Sequence, residues 1–433
     1  MCGIGGIVLQ QPGRLSEAPL QSMIDAMRSR GPDDSGMFIS DHVGLVHTRL
    51  AVRDLSSSAK CPMHSPGGEA SIVFNGEIYN WRELRHSLER AGYQFHTQSD
   101  TEVLLHGYLR WGNGPFSRLR GMFALAIWDT RSQSLLLARD RAGEKPLFYA
   151  EGEDALCFAS SPRLFDPLLQ GSHISPVAVA CYLAHSFIPA PLTIYREVFV
   201  LPPAHYLTVS VGRGSELRRY WDFPKSAPEQ LSAVECERTI EACLSDIVAR
   251  CLDADVPVGL FLSGGVDSSL VAALATRHRR NLPAFTIGFK ETALSEVPYA
   301  QRVARLLGLE HHVSFLTPED VIEWLPYLVN QYGQPFGDSS ALPTYALARL
   351  ARQHVTVCLC GDGGDESFAG YWRAQSTVYA ARYGRFVPRF VRQRIVPFLA
   401  SILGNAGRRW GALHDLSLQP PAAGTQILLV GSR

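Results

Sequence analysis

The second residue of the chain, Cys2, carries a group that could do chemistry at the N-terminus. Removal of Met1 would leave a thiol and a free α-amine on this one residue. An α-amine has an ordinary pKa of about 7.7–8.0, so near neutral pH part of it is unprotonated and can accept the thiol proton. The thiolate then attacks without a separate histidine. Cys2 also fits a simpler role, as a small apolar residue at the start of the apolar strand predicted over 3–9.

A second candidate site is the segment 263–269, which reads Ser-Gly-Gly-Val-Asp-Ser-Ser. It lies between an apolar strand predicted over 256–262 and a helix predicted over 268–277. Glycines allow a close backbone approach, and consecutive N–H groups at a helix N-terminus attract anions. The Walker pattern, which ends in Gly-Lys-Ser/Thr, is absent. The segment therefore predicts a phosphate site, although serine and aspartate in such a turn also serve as plain helix caps.

An acidic glycine-rich loop, residues 360–366, follows another predicted strand. In a parallel sheet both loops would lie at the carboxyl ends of strands, where ligands gather. Carboxylates close to phosphates need a cation, so we expect Mg²⁺ to be held by Asp267 and Asp365. The alternative is an acidic turn that is simply solvated.

The elements that position these residues change in kind along the chain. Up to about residue 210 the pattern predicts many short strands and few helices, which is typical of an α+β domain with stacked antiparallel sheets flanked by helices. Residues 211–230 are polar and contain two prolines, so they predict a linker. From 231 to 433, strands and helices alternate, which predicts an α/β domain with a doubly wound parallel sheet.

Composition excludes several other classes of protein. The 433 residues contain 41 basic and 41 acidic side chains. The composition therefore predicts no overall basic surface and no nucleic-acid partner. The nine cysteines include no Cys-x-x-Cys pair, which argues against a disulfide framework or a zinc site and favours the cytoplasm. No apolar run has the length of a membrane span, so no membrane partner is expected.

An ordered series of motifs resembles the glutamine-hydrolysing asparagine synthetases. These enzymes join an N-terminal-nucleophile glutaminase domain to a PP-loop synthetase domain. The matching segments run from residue 1 to about 373 and are 1–4, 30–33, 47–50, 75–80, 99–102, 121–124, 139–141, 263–269, 335–340 and 361–366.

The resemblance implies roles in glutamine hydrolysis for residues in the first domain. Cys2 would carry the γ-glutamyl thioester. The side-chain amide of Asn75 and the backbone N–H of Gly76 would stabilise the oxyanion. Asn75 and Gly76 would bind glutamine together with three charged residues. Arg49 would bind its α-carboxylate, and Glu77 and Asp100 would bind its α-ammonium. Taken alone, Asn75-Gly76 is also a good hairpin turn, and Arg49 could be a surface charge.

The resemblance also implies that the second domain joins a carboxylate to ATP and lets ammonia displace AMP. Asp362 stands where many of these synthetases carry a glutamate linked to acyl-adenylate formation. The implied ATP-binding residues are Leu262, Ser263, Gly264, Gly265, Asp267, Ser268, Ser269, Ile287, Cys360 and Gly361. The expected substrates are glutamine, ATP with Mg²⁺, and aspartate. The alternatives are another carboxylate, such as a cell-surface sugar acid, or a glutaminase whose synthetase half is degenerate.

The end of the chain departs from the resembled pattern. Residues 381–410 are Arg-rich, and 418–433 contain no clear element. We expect a shortened chain, with a basic helix that binds a membrane surface or RNA as the alternative. The resemblance also suggests a homodimer.

Overall fold

The computed structural model describes residues 1–371 except for 12, 14, 113–114, 166–172, 225–230 and 292–294, together with 379, 382, 385–386, 388 and 391. The Arg-rich segment 381–410 lies almost entirely outside the described residues, and 418–433 lies wholly outside them. Within the described part of the chain, no helix is both long and apolar enough to cross a membrane.

The first part of the chain forms two antiparallel sheets. The first sheet has the strand order β10-β8-β9-β1-β3-β2, and the second has the order β12-β11-β7-β6-β5-β4. The strands are β1 (Gly3–Leu9), β2 (Asp34–Ile39), β3 (Val43–Arg49), β4 (Met63–His64), β5 (Ala70–Ile78), β6 (Gly121–Asp129), β7 (Ser134–Arg139), β8 (Phe148–Glu151), β9 (Ala155–Ala159), β10 (Phe199–Val200), β11 (His205–Ser210) and β12 (Gly214–Arg219).

Alternation along the strands explains why the two sheets stack. On β6, Ala124 and Trp128 pack in the core between the sheets, whereas Phe123 and Ile127 face the helices on the other side. Because successive side chains of a strand point to opposite faces, a strand that is apolar at every position must be covered twice. The helices that flank the sheets are α1 (Glu17–Met27), α2 (Trp81–Arg90), α3 (Asp100–Trp111) and α4 (Pro176–His185).

The predicted α+β domain is confirmed by these sheets. The apolar stripe predicted on α1 is buried as expected, through Leu20, Met23, Ile24 and Met27. A paired strand stands where the linker was predicted to begin: β12 forms a hairpin with β11. Gly212 and Gly214 adopt positive φ values of 68° and 85°, which lets the polar chain turn back.

The second part of the chain forms a four-stranded parallel sheet with the order β15-β14-β13-β16. Its strands are β13 (Val258–Phe261), β14 (Pro283–Phe289), β15 (Glu310–Leu316) and β16 (Val357–Leu359). Its helices are α5 (Ala233–Cys251), α6 (Val266–His278), α7 (Val297–Leu307), α8 (Pro318–Tyr332), α9 (Ala341–Arg352) and α10 (Gly364–Phe368).

The strand order confirms the predicted α/β architecture. The chain runs outward from β13 through β14 to β15 and then returns to place β16 on the other side of β13. Helices cover both faces, since α5, α6 and α7 share one core with β13 and α9 packs against Phe285 on the other face. Ligands bind in such sheets where the strand order reverses, which here lies between the ends of β13 and β16.

Candidate functional site

The pairing of β1 with β3 sets the position of Cys2. Gly3 pairs with Thr48, so Cys2 lies beside the end of β3 and the loop that follows it. The backbone N–H of Leu50 donates to the Cys2 thiol at 3.4 Å, and the thiol lies 3.7 Å from the Leu50 carbonyl. Arg30 donates from Nε to the Cys2 carbonyl oxygen at 3.2 Å. Backbone and side-chain contacts thus hold the candidate nucleophile in place.

Burial of the N-terminal amine favours its unprotonated form, which could act as a base near Cys2. Burial raises the pKa of the Cys2 thiol, so this thiol needs a base to ionise it. The Met1 residue is 53% exposed, but its α-amine is buried. Burial lowers the pKa of this amine to about 6, and the positive charges of Arg30 and Lys145 also lower it. The lowered pKa leaves the Met1 amine mostly unprotonated at neutral pH.

Arg49 at the end of β3 is buried, and carbonyl groups surround its guanidinium. Nη1 donates to the Ser56 carbonyl at 2.9 Å, and Nη2 donates to the carbonyls of Arg53, at 3.4 Å, and Asp54. Arg49 lies close enough to Cys2 for its charge to lower the pKa of the thiol. The geometry therefore excludes the alternative of an isolated surface charge.

Asn75 lies on β5, in the second sheet. His47 on β3 donates from Nε2 to the Phe74 carbonyl at 3.0 Å, which ties β5 to the strand that carries Arg49. Burial lowers the pKa of His47 to about 4, so this histidine is neutral and structural. Asn75 is 1% exposed, and its Nδ2 has no hydrogen-bond partner among the described residues. Buried polar groups are almost always paired, so an orphaned buried donor is typical of a group that awaits a ligand.

Gly76 follows Asn75 at a point where no side chain fits. A Cβ there would lie 2.2 Å from the Met122 carbonyl oxygen on β6. Both residues lie within strand β5, so the hairpin turn considered for Asn75-Gly76 is not formed.

Glu77 and Asp100 form the acidic part of the site. Asp100 is 4% exposed and accepts a hydrogen bond from the Ile78 N–H at 2.9 Å. Burial raises the pKa of both carboxyl groups, and the charge of Asp100 raises the pKa of Glu77 further. A bound ammonium group would relieve this repulsion, since it would pair with both carboxylates.

The segment after β13 has the geometry of an anion site. Ser263 and Ser268 lie 2.8 Å apart through their hydroxyl oxygens, and the Gly265 N–H donates to the Ser263 hydroxyl at 3.2 Å. Gly264 has φ of +81°, and a Cβ there would meet the backbone of Tyr299 and Ala300 at 2.5 Å. Helix α6 begins at once at Val266, so its N-terminus faces the loop.

The acidic loop 360–366 lies directly against this segment. A Cβ on Gly364 would be 2.5 Å from Oδ2 of Asp267, and one on Gly361 would be 2.8 Å from the Ser268 N–H nitrogen. Cys360 follows β16, the buried Leu262 follows β13, and Ile287 lies on β14. The predicted ATP-binding residues are thus drawn from three adjacent strands and the loops that follow them.

The carboxylates in these loops fit a hard cation only in part. Asp267 and Asp365 are half-buried, whereas Asp362 is exposed. The described residues contain no group of three or more metal-ligating side chains. Mg²⁺ commonly binds through one or two carboxylates and completes its shell with phosphates and water, so the donor set fits a cation that arrives with a nucleotide.

Comparison with known proteins agrees with both halves of this geometry. Residues 1–221 match the glutamine amidotransferase domain family, and residues 239–424 match the asparagine synthase family. The second match extends beyond residue 373, where we expected the resemblance to stop. The chain belongs to the glutamine-hydrolysing asparagine synthetase family.

Three relatives show how much of the family's length is represented. "Asparagine synthetase [glutamine-hydrolyzing] 1" of Bacillus subtilis is 35% identical over 86% of this chain and 59% of its own length. A putative asparagine synthetase of Mycobacterium tuberculosis is 36% identical over 80% of this chain and 55% of its own length. A putative second asparagine synthetase of Methanocaldococcus jannaschii is 34% identical over 90% of this chain and 79% of its own length. The chain spans less than three fifths of the first two relatives.

The structure adds two residues to the candidate glutaminase site that the sequence analysis did not assign. Arg53 lies with its Nε 3.5 Å from Oε2 of Glu77, and its side chain is 6% exposed. Lys145 is buried near the N-terminus, with its Nζ 3.3 Å from the Met1 sulfur. A weak sequence signal did exist for Arg53, which lies four residues after Arg49 and directly follows the apolar Leu50-Ala51-Val52.

Proposed function

We propose that the chain hydrolyses glutamine at Cys2 and supplies the ammonia to an acyl-adenylate formed in the second domain. The Cys2 thiolate attacks the side-chain carbonyl carbon of glutamine, and the electron pair of the carbonyl moves to oxygen. Collapse of this oxyanion breaks the carbon–nitrogen bond, and the protonated α-amine gives its proton to the departing ammonia. Water then hydrolyses the thioester to glutamate.

The observation that carries this proposal is the buried Nδ2 of Asn75, which lacks a partner among the described residues. It lies on β5, which His47 ties across the sheets to the strand that ends in Arg49, and it is followed directly by Gly76. A preorganised donor that is unpaired without substrate is what an oxyanion site requires. The raised pKa values of Glu77 and Asp100 support an ammonium ligand beside it.

Glutamate release from glutamine tests the first half of the proposal. Wild-type protein should release glutamate, and Cys2→Ala should not. Cys61→Ala is a matched control, since Cys61 is a buried thiol in the same domain that carries no proposed role. Glutaminase activity that survives in Cys2→Ala would overturn the assignment of the nucleophile.

For the second half we propose that ATP binds the 263–269 loop and that the acceptor is aspartate, giving asparagine, AMP and pyrophosphate. Asp267 and Asp365 would hold Mg²⁺, which offsets the charge of the phosphates. Asp362 would act in formation of the acyl-adenylate. Support comes from the adjacency of the two loops and from the names of the relatives.

Acceptor trials distinguish aspartate from other carboxylates. Exchange of labelled pyrophosphate into ATP should require aspartate if aspartate is adenylated. Exchange only with another acid, such as a sugar acid, would support the alternative amidotransferase. If glutamate forms but no acid supports exchange, the chain is a glutaminase with a degenerate second domain.

A further inference from the structure

The loop of residues 50–56, called here the 50–56 loop, holds the glutamine site together. Its first residue, Leu50, contacts the Cys2 sulfur through the backbone N–H. The carbonyls of Arg53, Asp54 and Ser56 are the acceptors for the Arg49 guanidinium. A shift of this loop would therefore move the group that we expect to bind the α-carboxylate of glutamine.

The second domain anchors this loop through the connection between α5 and β13. Oδ2 of Asp255 accepts a hydrogen bond from the Asp54 N–H at 2.7 Å, and the Asp255 N–H donates to the Val52 carbonyl at 3.1 Å. Asp253 accepts from Arg53 both at its backbone carbonyl and at Oδ2, the latter at 3.5 Å. Two successive parts of the 50–56 loop are thus fixed by two aspartates of the other domain.

Arg53 links these anchors to the acidic part of the glutamine site. Its buried guanidinium lies 3.5 Å from Glu77 on one side and 3.5 Å from Asp253 on the other. A buried cation is stable only with paired anions around it. A bound α-ammonium group would share the Glu77 carboxylate with Arg53. The contact with Asp253 would then contribute more to the neutralisation of Arg53.

The acidic connection is not explained by attachment of the domains alone. Arg82 also donates to the Asp253 carboxylate, at 3.3 Å from Nη2 to Oδ1, and Arg250 pairs with Glu83 at 2.8 Å nearby. Such exposed ion pairs contribute little free energy, and these two involve no residue of the 50–56 loop. The buried arginine and the backbone bonds to the 50–56 loop instead act on the position of Arg49 and the charge beside Glu77.

We propose that Asp253 and Asp255 are positioning residues for glutamine binding, through which the second domain sets the affinity of the first domain for glutamine. This inference rests on the proposed glutaminase function. The proposal predicts different effects on KM and on kcat. The anchors act on residues 52–54, whereas Leu50, which contacts Cys2, directly follows β3, and Asn75 and Gly76 lie within β5. Loss of the anchors should therefore raise KM for glutamine and leave kcat nearly unchanged.

The test uses the full chain and measures glutamate release at varied glutamine concentration without ATP. For Asp253→Asn combined with Asp255→Asn we expect KM to rise about tenfold, with kcat within about twofold of wild type. The single variant Asp253→Glu keeps a carboxylate, so its KM for glutamine should stay close to that of wild type. Asp246→Asn is the control, because it removes one carboxylate charge from α5, before the connection, where Asp246 pairs with Arg250 on its own helix.

A second measurement separates binding from chemistry and from misfolding. Calorimetric titration of glutamine into Cys2→Ala, with and without the combined Asp253→Asn and Asp255→Asn substitutions, should show the same loss of affinity, and thermal unfolding shows whether each variant is folded. If wild type hydrolyses glutamine and KM is unchanged in the folded variants, or if Asp246→Asn raises KM equally, the positioning role is wrong and the proposed function stands. If wild type neither hydrolyses glutamine nor, as Cys2→Ala, binds it, both proposals fail.

Discussion

At the scale of single residues, the candidate glutaminase site contains a donor without a partner among the described residues and a pair of carboxyl groups that are only partly neutralised. Asn75 presents an unpaired amide among the described residues, and Glu77 and Asp100 repel each other. Neither feature stabilises the empty protein. Both become favourable when glutamine brings a carbonyl oxygen and an ammonium group, which is why they mark a binding site rather than a structural core.

Substitution Asn75→Ala should lower kcat for glutamine hydrolysis by about 10²–10³, because one oxyanion donor is lost. Binding of glutamine should change much less. Asn80→Ala is the control: Asn80 is also buried, but its amide is occupied by the Arg118 carbonyl and the Arg120 N–H. We expect Asn80→Ala to lower the melting temperature and to leave kcat of the folded protein close to wild type. Steady-state kinetics at saturating glutamine provides the measurement, and an equal loss of kcat in both variants would contradict the role of Asn75.

The pH dependence of hydrolysis should report the N-terminal amine. Burial and the nearby cations lower the pKa of the Met1 amine, so we expect the amine of mature Cys2, in the same pocket, to titrate below the ordinary 7.7–8.0. The base must be unprotonated, so kcat should fall as pH drops through this pKa. Removing a neighbouring cation with Lys145→Met favours the ammonium form and should move this acid limb to higher pH.

Lys60→Met is the control for that shift, since Lys60 is exposed and pairs with Asp34 at 2.9 Å. A pH profile of kcat for each variant gives the measurement. The expectation fails if the limb of Lys145→Met stays at the wild-type position, or if Lys60→Met moves it as far.

The sequence motifs assign six residues to this site, and their roles stay predictions. Cys2, Arg49, Asn75, Gly76 and Glu77 lie on or beside β1, β3 and β5 of the two stacked sheets, and Asp100 begins α3. Arg53 was missed because its role depends on a partner two hundred residues away: no local pattern indicates that Asp253 will face it. Lys145 was missed for a similar reason, since burial and not residue type makes its charge significant.

At the scale of elements, one short strand joins the two sites. Strand β13 has four residues: it begins after the connection that contacts the 50–56 loop and ends at the 263–269 loop. The sequence predicted this strand and its loop correctly, because an apolar run followed by glycines is a strong local signal. It placed a linker where β12 pairs with β11, because a polar edge strand lacks an apolar stripe.

Gly264→Ala should abolish ATP binding while glutaminase activity remains. The new Cβ would clash with the backbone of α7 and would also strain a positive φ, so the loop must move away from phosphate-binding geometry. Gly212→Ala is a matched control, because Gly212 has a similar φ of +68° with nothing within 4 Å of its Cβ position. Titration of ATP into each variant supplies the comparison. Normal ATP affinity in Gly264→Ala would remove the loop from the proposed site.

At the scale of the whole molecule, the two domains touch at a second place far along the chain. The Gly337 N–H donates to the Ser186 carbonyl at 3.2 Å, and Arg163 donates to the Asn330 carbonyl at 2.9 Å. The motif 335–340 thus contacts the first domain directly. Sequence reasoning assigned both folds but not how they meet, because such contacts depend on pairs of loops rather than on any local periodicity.

Ammonia should replace glutamine as nitrogen donor in Cys2→Ala if both halves act together. Ammonia reacts only when unprotonated, so product formation from ammonium salts should rise about tenfold per pH unit well below the ammonium pKa. Formation from glutamine by wild type should rise less steeply, since ammonia would be released unprotonated inside the protein. Product analysis from pH 6 to 9 checks this. Equal slopes for both donors would show that ammonia equilibrates with solvent before it reacts.

The unpaired amide of Asn75 also has a thermodynamic consequence. A buried donor without a partner lowers the stability of a folded protein by about 1–3 kcal/mol. The empty enzyme therefore folds against this cost, and glutamine removes it on binding. The unpaired donor lowers thermal stability and at the same time prepares the site for substrate. Glutamine should therefore raise the melting temperature of Cys2→Ala.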